Sequence, residues 1–350
     1  MSDSCDYIDS LPSVPKPIDP YADYISDNCL DVLDISKKYL DELYALSPIN
    51  FGIKQGEIIG IAGKSGSGKS TLLKIIAGFL DPTSGKVKLN NKNILFPADQ
   101  LVAGNKDIKL VFQDFNLHPK TTIYDNLEIE VRKYGAEFSK KRILYLLEAL
   151  QISHLAYSFP YQLSGGEKQR VAIAKSIADI PTLLILDEPF ASLDPILRQE
   201  LTALLLKLFK DEEVTAIIAD HDISALLSIS DKILILDKGK LQSFLTPENT
   251  YLHPANIEVA KLLGEINVVK GAIFNKNFQL NVPSEAMVAI KPEHVYFSKS
   301  GVKASVTKVL FKSWYYLVYI QVADIELKLY SKKRLSGDVF VKIKHYQIFY

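Results

Sequence analysis

The stretch GKSGSGKST at Gly63–Thr71 constrains the fold most, because it combines three glycines, two lysines and four hydroxyl side chains. The apolar run Glu57–Ala62 precedes it, and a second apolar run, Leu72–Leu80, follows it. Glycines lack a Cβ, so consecutive backbone N–H groups can face one concave surface, and the start of a helix adds further unpaired N–H groups. This order predicts a strand, a phosphate-binding loop and a helix.

Four residues in this stretch match the loop pattern G-x-x-x-x-G-K-[ST], which binds the phosphates of nucleotides. We expect Lys69 to reach the β- and γ-phosphates and the Ser70 hydroxyl to ligate Mg²⁺. A Gly/Ser turn that fits the pattern by coincidence is the alternative. The candidate phosphate-binding residues are Gly63, Lys64, Ser65, Gly66, Ser67, Gly68, Lys69, Ser70 and Thr71.

A second candidate element is the apolar run LLILDEP at Leu183–Pro189. A strand that ends in Asp187 places a carboxylate at the carboxyl edge of a parallel sheet, where the Mg²⁺ of a bound nucleotide lies. Glu188 follows directly, at a position to orient or deprotonate an attacking water. The alternative is an acidic strand end followed by a turn at Pro189, and the phosphate-binding loop makes that alternative weaker.

The composition excludes several classes of function. Lys+Arg and Asp+Glu both number 41, so no overall basic surface indicates nucleic acid. The two cysteines, Cys5 and Cys29, are too few for a metal site of soft ligands; they could pair, although intracellular chains more often keep such thiols reduced. No run approaches the ~18 apolar residues of a membrane span, and the N-terminus lacks a signal-peptide pattern. We predict a cytoplasmic, multidomain α/β protein.

Changes in composition and periodicity divide the chain into four predicted regions. Residues 1–28 are rich in proline, Asp and Ser without an apolar period, which predicts a mobile leader. Residues 29–245 alternate strands and helices, which predicts a mostly parallel sheet with helices on its faces, and a helical subdomain is inserted at about 115–170. A linker at 246–269 leads to residues 270–350, whose short β-branched and aromatic runs predict a smaller all-β domain.

The sequence LSGGEKQR at Leu163–Arg170 decides the family. It matches the signature of ATP-binding cassette (ABC) proteins, and the chain resembles the ATPase subunit of an ABC transporter, most closely from Asp31 to Gly239. The resemblance implies a P-loop NTPase fold that uses ATP and Mg²⁺. It also implies that two cassettes pack head to tail, so that Ser164, Gly165 and Gly166 of one chain close on the ATP held by the other.

The resemblance implies roles for further residues. Tyr39 is expected to stack on adenine, and Tyr44 is close enough to compete for that role. Gln113 is expected to contact Mg²⁺ and water and to link the core to the helical subdomain. Asp194 matches a loop that crosses the dimer interface, and His221 is expected to contact the γ-phosphate.

The reaction implied by the resemblance is phosphoryl transfer from ATP to water. Protein groups then supply position and charge neutralisation, and hydrolysis opens the dimer. The expected catalytic residues are Lys69, Glu188 and His221. The expected Mg²⁺ ligands are Ser70, Gln113 and Asp187.

The C-terminal part of the sequence resembles that of one class of ABC transporter ATPase, the importer type. The linker Thr246–Val269 and the motif IKPEH at Ile290–His294 resemble importer ATPases that carry a TOBE/OB-like β domain, with lysine replacing the usual arginine. That resemblance implies a second ABC subunit (a homodimer or a similar chain), separate transmembrane permease subunits and an external solute-binding protein. It also implies a place on the cytoplasmic face of the cell membrane, and no nucleic acid is expected.

Other functions stay open at this stage. An exporter or lipid-handling cassette is disfavoured by the C-terminal β domain. A soluble ABC switch of translation or DNA repair is disfavoured because the chain has one cassette and no long heptad arms. A scaffold without hydrolysis is disfavoured by the presence of Lys69, Asp187, Glu188 and His221.

Overall fold

The computed structural model describes residues 21, 24–39, 44–111, 115–191 and 193–350. Their first two sheets lie within residues 30–245 and carry the candidate site. The strands of these sheets, in chain order, are β1 (Leu30–Lys38), β2 (Tyr44–Ile53), β3 (Ile58–Ala62), β4 (Ser84–Leu89), β5 (Lys92–Asn93), β6 (Ile108–Val111), β7 (Leu183–Asp187), β8 (Ala216–Asp220), β9 (Lys232–Asp237) and β10 (Lys240–Leu245).

The central sheet has the order β10-β9-β3-β8-β7-β6, and its strands are parallel except for the edge strand β10. All five residues of β3 are buried, as expected for a parallel strand covered on both faces. A smaller antiparallel sheet, β2-β1-β4-β5, lies beside it. The hairpin between β4 and β5 turns at Asn90 and Asn91, both at positive φ, which asparagine tolerates.

Helices cover the central sheet on both faces. Ile59 and Ile61 of β3 pack with the first helix and the antiparallel sheet, whereas Ile58 packs with the helices on the opposite face. This division follows from the alternation of side chains along a strand. The α-helices are α1 (Lys69–Ile76), α2 (Ile123–Val131), α3 (Ala136–Ala149), α4 (Gly165–Ala178), α5 (Pro195–Asp211), α6 (Ile223–Ile229), α7 (Pro247–Leu252), α8 (Ile257–Leu262) and α9 (Gly271–Phe278).

The inserted helical stretch is divided rather than continuous. A short 3₁₀ turn at Arg132–Tyr134 follows α2, and Gly135, at φ 93°, separates it from α3. The start of α2 is fixed by a reciprocal cap between Thr122 and Asp125. Together α2, α3 and α4 contribute one hydrophobic core with the central sheet.

The C-terminal region is built from two antiparallel sheets, as its residue pattern predicts. Helix α9 lies between its first two strands and is an element that the sequence pattern did not indicate. The sheet orders are β11-β12-β18 and β13-β17-β14-β15-β16. The strands are β11 (Asn267–Lys270), β12 (Met287–Ile290), β13 (Val295–Ser298), β14 (Val302–Lys312), β15 (Tyr315–Val322), β16 (Ile325–Ser331), β17 (Asp338–Ile343) and β18 (Gln347–Phe349).

Three observations concern the N-terminal region, the cysteines and the membrane. The Lys88 ammonium donates hydrogen bonds to the carbonyl oxygens of Tyr21 and Tyr24, so the end of the predicted leader contacts β4; most of that leader lies outside the described residues. Cys29 is buried and not in a disulfide, whereas Cys5 lies outside the described residues. None of the described helices has the length and apolar character needed to cross a membrane.

Candidate active site

The order of the central sheet brings the main candidate residues to one edge. Strand β8 lies between β3 and β7, and all three are parallel, so their carboxyl ends meet. In this register Ala62, the residue before the loop, is opposite Asp220, and Asp187 is opposite Ala219. The phosphate-binding loop therefore lies beside two carboxylates that end neighbouring strands, the position where open α/β sheets bind ligands.

Close packing requires glycine at two of the three glycine positions of the loop. An ideal Cβ on Gly63 would lie 2.4 Å from the Leu236 carbonyl oxygen, and one on Gly68 would lie 2.8 Å from the Ala45 carbonyl oxygen. Gly68 also has a φ of 104°, a conformation that glycine adopts without strain. Helix α1 begins immediately afterwards and, among the described residues, no side chain caps it. Its first N–H groups are thus left for an anion.

The Lys69 side chain is buried under this loop. Its exposed fraction is 6%, and its ammonium donates to the Gly63 carbonyl oxygen at 2.7 Å and to the Lys64 carbonyl oxygen at 3.3 Å. Burial lowers the pKa of Lys69, while the charges of Glu188, Asp187 and Asp220 act in the opposite direction. A partly desolvated cation is therefore held inside the concave loop, where it fits phosphate oxygens.

Asp187 combines burial with an incomplete set of hydrogen bonds. Burial raises the pKa of its carboxyl group, and a hydrogen bond from Ser70 acts against that rise. Its Oδ1 atom is buried without a hydrogen-bond partner among the described residues, and the same holds for the hydroxyl of Ser67 in the loop. Because buried polar atoms are normally paired, these atoms point to a ligand at this place.

The donor set beside Asp187 fits Mg²⁺, a hard cation that takes oxygen ligands. Asp187 offers a carboxylate and Ser70 a hydroxyl, while the third predicted ligand, Gln113, lies outside the described residues. Within the described ranges, no group of three or more His, Cys, Asp and Glu side chains is arranged to hold a metal ion. An ion bound here would thus need oxygens from a nucleotide as well, as Mg²⁺ usually does at phosphate sites.

Glu188 and His221 face each other at the open side of this edge. Glu188 has a φ of 54°, a strained conformation for this residue, and its N–H donates to the Ala219 carbonyl oxygen at 2.7 Å. The His221 Nδ1 atom lies 3.9 Å from the Glu188 carboxylate and 3.5 Å from that of Asp220. The two predicted catalytic groups are close enough to act on one water or phosphate oxygen.

Asp220 is a residue of this site that the sequence reasoning missed. It is fully buried, and it accepts hydrogen bonds from the N–H groups of Phe190, at 3.3 Å, and Asp222, at 2.8 Å. Desolvation raises the pKa of its carboxyl group. Asp220 thereby holds the turn after Glu188 and the turn after His221 against each other. The available signal was its place at the end of the apolar run IIAD.

The signature residues occupy the start of another helix. Ser164 caps α4: its hydroxyl accepts from the Glu167 N–H at 3.4 Å, and its own N–H donates to the Glu167 carboxylate at 2.8 Å. The Ser164 hydroxyl also donates to the Glu167 carboxylate at 2.7 Å, and this bond, together with the one from the Ser164 N–H, lowers the pKa of Glu167. An ideal Cβ on Gly165 would contact nothing within 4 Å, whereas one on Gly166 would lie 3.2 Å from Leu193. No hydrogen bond or ion pair of the described residues joins this helix start to the phosphate-binding loop.

The remaining predicted binding residues lie on other elements. Asp194 caps α5 by accepting from the N–H groups of Ile196 and Leu197, at 2.9 and 3.0 Å. Tyr39 and Tyr44 are both exposed, and a lysine ammonium lies over each ring. Tyr44 precedes Ala45, whose carbonyl group packs on Gly68, so the strand carrying Tyr44 contacts the loop.

The sequence also contained no indication of an ion pair between the phosphate-binding loop and helix α8. The Lys64 ammonium lies 2.6 Å from the carboxylate of Glu258 on α8, and Lys261 also pairs with that carboxylate at 2.9 Å. The two lysines lower the pKa of Glu258 to about 2. This ion pair connects the phosphate-binding loop to the segment that leads to the C-terminal region. A sequence separation of 194 residues gave no signal for it.

Comparison with protein families and sequences identifies relatives of this chain. The family model for ABC transporters matches residues 46–191. The sulfate/thiosulfate import ATP-binding protein CysA of Mesostigma viride is 34% identical over 325 residues, which cover 88% of this chain and 92% of the relative. The glucose import ATP-binding protein GlcV of Saccharolobus solfataricus is 36% identical over 290 residues, which cover 78% and 80%. The spermidine/putrescine import ATP-binding protein PotA of Mesoplasma florum is 29% identical over 341 residues, covering 91% and 96%.

Solved structures show the same relationship over about two thirds of the chain. The protein cbiO1 of Clostridium perfringens, part of an ABC transporter complex, superposes with a TM-score of 0.59 at 31% identity, over 68% of this chain and 96% of that one. A dimeric ATP-binding cassette, MJ0796, in a post-hydrolysis state bound to ADP and phosphate, gives a TM-score of 0.54 at 32% identity, over 62% and 98%.

Proposed function

This chain belongs to the ABC transporter family, and on that premise we propose that its ATP hydrolysis drives the import of a solute through separate membrane subunits. The observation that carries the proposal is the cluster of Lys69, Asp187 and Glu188 at one edge of the central sheet. Lys69 and Asp187 are largely removed from water, and Asp187 Oδ1 has no hydrogen-bond partner among the described residues, an arrangement that suits a charged ligand.

The roles of individual residues in hydrolysis follow from their positions. The N–H groups of the loop and of α1 would bind the β- and γ-phosphates of ATP, and Lys69 would neutralise the charge that moves onto them. Glu188 would hold the attacking water, while His221 would contact the γ-phosphate. Ser70, Asp187 and Gln113 would hold Mg²⁺, which when bound neutralises charge on the phosphate oxygens.

The signature residues support a dimeric catalytic unit. The start of α4 presents N–H groups that suit phosphate, but among the described residues no hydrogen bond or ion pair joins it to the loop of its own chain. In the proposed dimer, Ser164, Gly165 and Gly166 of each chain bind the γ-phosphate held by the other, and Asp194 lies at the interface between them. Tyr39, or the neighbouring Tyr44, would stack on the adenine.

The proposed assembly includes further chains. Permease subunits would hold the dimer at the cytoplasmic face of the membrane, and an external solute-binding protein would deliver the solute. The relatives are named for import of sulfate and thiosulfate, of glucose, and of spermidine and putrescine. Since relatives of comparable similarity differ in solute, we propose no solute for this chain.

Affinity purification of the Glu188→Gln variant from native membranes solubilised in detergent tests the transport role. The variant would retain ATP and keep the dimer closed, so with MgATP we expect a multi-span permease to co-purify, as identified by mass spectrometry. A matched Glu248→Gln variant, altered at an exposed position of α7, should not increase permease recovery over the unmodified chain. Recovery of ribosomal or DNA-repair proteins without a membrane protein would overturn the importer role and leave the ATPase.

A further inference from the structure

The carboxylate of Asp220 lies against the ring of His221 in the candidate active site. Asp220 ends strand β8 and is fully buried, whereas 56% of the His221 side chain is exposed. The His221 Nδ1 atom is 3.5 Å from the Asp220 carboxylate and 3.9 Å from that of Glu188. The Nδ1 edge of the ring therefore faces acidic groups, which leaves the Nε2 atom for a bound nucleotide.

A third carboxylate close in sequence, that of Asp222, is engaged elsewhere. It pairs with the Arg198 guanidinium, and it caps α6 by accepting from the Ser224 N–H at 2.9 Å. Asp222 therefore joins the starts of α5 and α6. Of the carboxylates near His221, that of Asp220 is the closest to the ring.

Two backbone N–H groups hold the Asp220 carboxylate in place. It accepts from Phe190 at 3.3 Å and from Asp222 at 2.8 Å, so both neighbouring turns fix its orientation. Neutral hydroxyl and amide oxygens also accept bonds of this kind, so the turns alone do not require a carboxylate. Because a charge at this depth is normally paired, Asp220 indicates a basic partner.

Three basic side chains act on Asp220, and one of them lies against it. Burial raises the pKa of Asp220, while the charges of His221 and Arg198 act in the opposite direction. The Lys69 ammonium donates to carbonyl oxygens of the loop, and Arg198 is paired with Asp222. Among the described residues, His221 alone lies within ion-pair distance of the Asp220 carboxylate.

We propose that Asp220 is a positioning residue for hydrolysis: its carboxylate accepts the Nδ1–H of His221, so that the Nε2–H points to the γ-phosphate. This inference rests on the proposed function, in which His221 contacts that phosphate. An imidazolium ring has an N–H at each nitrogen, so it can donate to both acceptors at once. The separation of 3.5 Å is long for a hydrogen bond, and catalytic bonds of this kind tighten when the substrate binds.

A double-mutant cycle on the full chain separates positioning from a merely structural role. Asp220→Asn should lower kcat about tenfold and change KM for ATP less than about twofold, because the loop still binds the phosphates. His221→Gln should lower kcat about 10²-fold. Since Asp220 acts through His221, adding Asp220→Asn to His221→Gln should lower kcat by less than a further factor of about two. The control is Asp107→Asn, at an exposed position, which should retain the full rate.

The cycle also distinguishes this inference from the proposed function. If both single variants are slow and their effects multiply, hydrolysis at this site stands, but Asp220 does not act through His221 and the proposal is overturned. If His221→Gln keeps the full rate, the roles of both residues are overturned. Absence of hydrolysis by the unmodified chain would contradict the proposed function and this inference with it.

Nitrogen-15 NMR of the His221 ring tests the proposal even if Asp220→Asn does not fold. The measurement uses the Glu188→Gln chain with MgATP, in which Asp220 is the remaining carboxylate near Nδ1, and His221→Gln assigns the resonances. We expect both ring nitrogens to carry protons, with the Nδ1 proton shifted downfield as in a hydrogen bond to a carboxylate. An Nδ1 atom without a proton would overturn the proposal.

Discussion

Two helix starts in this chain suit a phosphate, and they are built in opposite ways. Helix α1 follows Gly68 without a side-chain cap among the described residues, so its first N–H groups are left to a ligand. Helix α4 is capped by Ser164 and Glu167, which satisfy each other's backbone N–H groups. The first helix start therefore has N–H groups without a side-chain partner in its own chain, whereas the second is capped before any ligand binds.

The ionisable groups around the two helix starts show the same contrast: those near α1 are destabilised in their charged forms, whereas the one at α4 is stabilised. Burial lowers the pKa of Lys69 and raises the pKa values of Asp187 and Asp220, so in each case it disfavours the charged form. In their charged forms these groups therefore reduce the stability of the chain when no ligand is bound. Hydrogen bonds at α4 instead favour the ionised form of Glu167. Among the described residues, the charges beside α1 therefore lack a partner that fully offsets their desolvation, whereas the start of α4 is already capped by residues of its own chain.

The largest expected effect comes from removing the buried cation at α1. We expect Lys69→Ala to lower the rate of ATP hydrolysis by about 10²–10³, the range for losing one group that stabilises transferring charge. The measurement is steady-state phosphate release. The control is Lys207→Ala, at an exposed position of α5, which should retain the full rate. Full activity in Lys69→Ala would contradict the role of this loop.

A change at Asp187 should separate stability from activity. Asp187→Asn removes a carboxylate that burial disfavours, so we expect the free energy of unfolding without nucleotide to rise, on the order of 1 kcal/mol at pH 7. Because the folded-state pKa is raised, this gain should disappear as the pH falls below 3.8, the ordinary value for Asp. Hydrolysis should fall at least about 10²-fold.

Denaturant unfolding measures the free energy of unfolding of the Asp187→Asn protein, and Asp107→Asn, at an exposed position, is the control. A less stable Asp187→Asn protein would show that this carboxylate supports the fold rather than a ligand.

A smaller effect is expected at the signature helix. Glu167→Ala removes half of the reciprocal cap, which should lower the free energy of unfolding by about 0.5–1 kcal/mol. Glu167→Gln is the matched control, since glutamine also serves at this position of a capping box. The pKa of Glu167 is lowered, so its contribution exists above the ordinary pKa and is lost as the pH falls through the folded value. Equal stability of both variants at pH 7 would refute this preformed cap.

The smallest effect concerns the ion pair between the loop and α8. Both Lys64 and Glu258 are exposed, and such pairs contribute little in water. We expect Glu258→Gln to change the Michaelis constant for ATP less than about twofold, and 0.5 M salt to remove the difference. A much larger change would contradict this expectation. It would mean that the contact with α8 affects how the loop binds ATP and so couples ATP binding to the C-terminal region.

Local patterns in the sequence predicted the parts of the site that lie within one strand, loop or helix. The fold class, the family and ATP hydrolysis are confirmed by the family model and the relatives. The loop Gly63–Thr71 and the strand that ends in Asp187 lie where their patterns indicate, because Gly spacing and continuous apolar runs act over a few residues. The individual roles of the site residues remain predictions.

The features that the sequence did not indicate depend on contacts between distant segments. Asp220 holds two turns only because β8 lies between β3 and β7, and Glu258 meets Lys64 only after the chain returns past the sheet. Helix α9 spans only eight residues and lies among strands, so a sequence pattern of that length gives little indication of a helix. Gln113 lies outside the described residues and stays a sequence-based prediction.

In the proposed dimer, the loop of one chain and the signature of another hold the same ATP. Sedimentation velocity of Glu188→Gln, with and without MgATP, tests it most directly. We predict that MgATP shifts the protein from the mass of one 39.2 kDa chain to that of two. Adding Gly165→Asp should abolish the shift and leave the fold intact, because a side chain there meets no neighbour within its own chain. If both variants dimerise equally, or neither does, the shared site is contradicted.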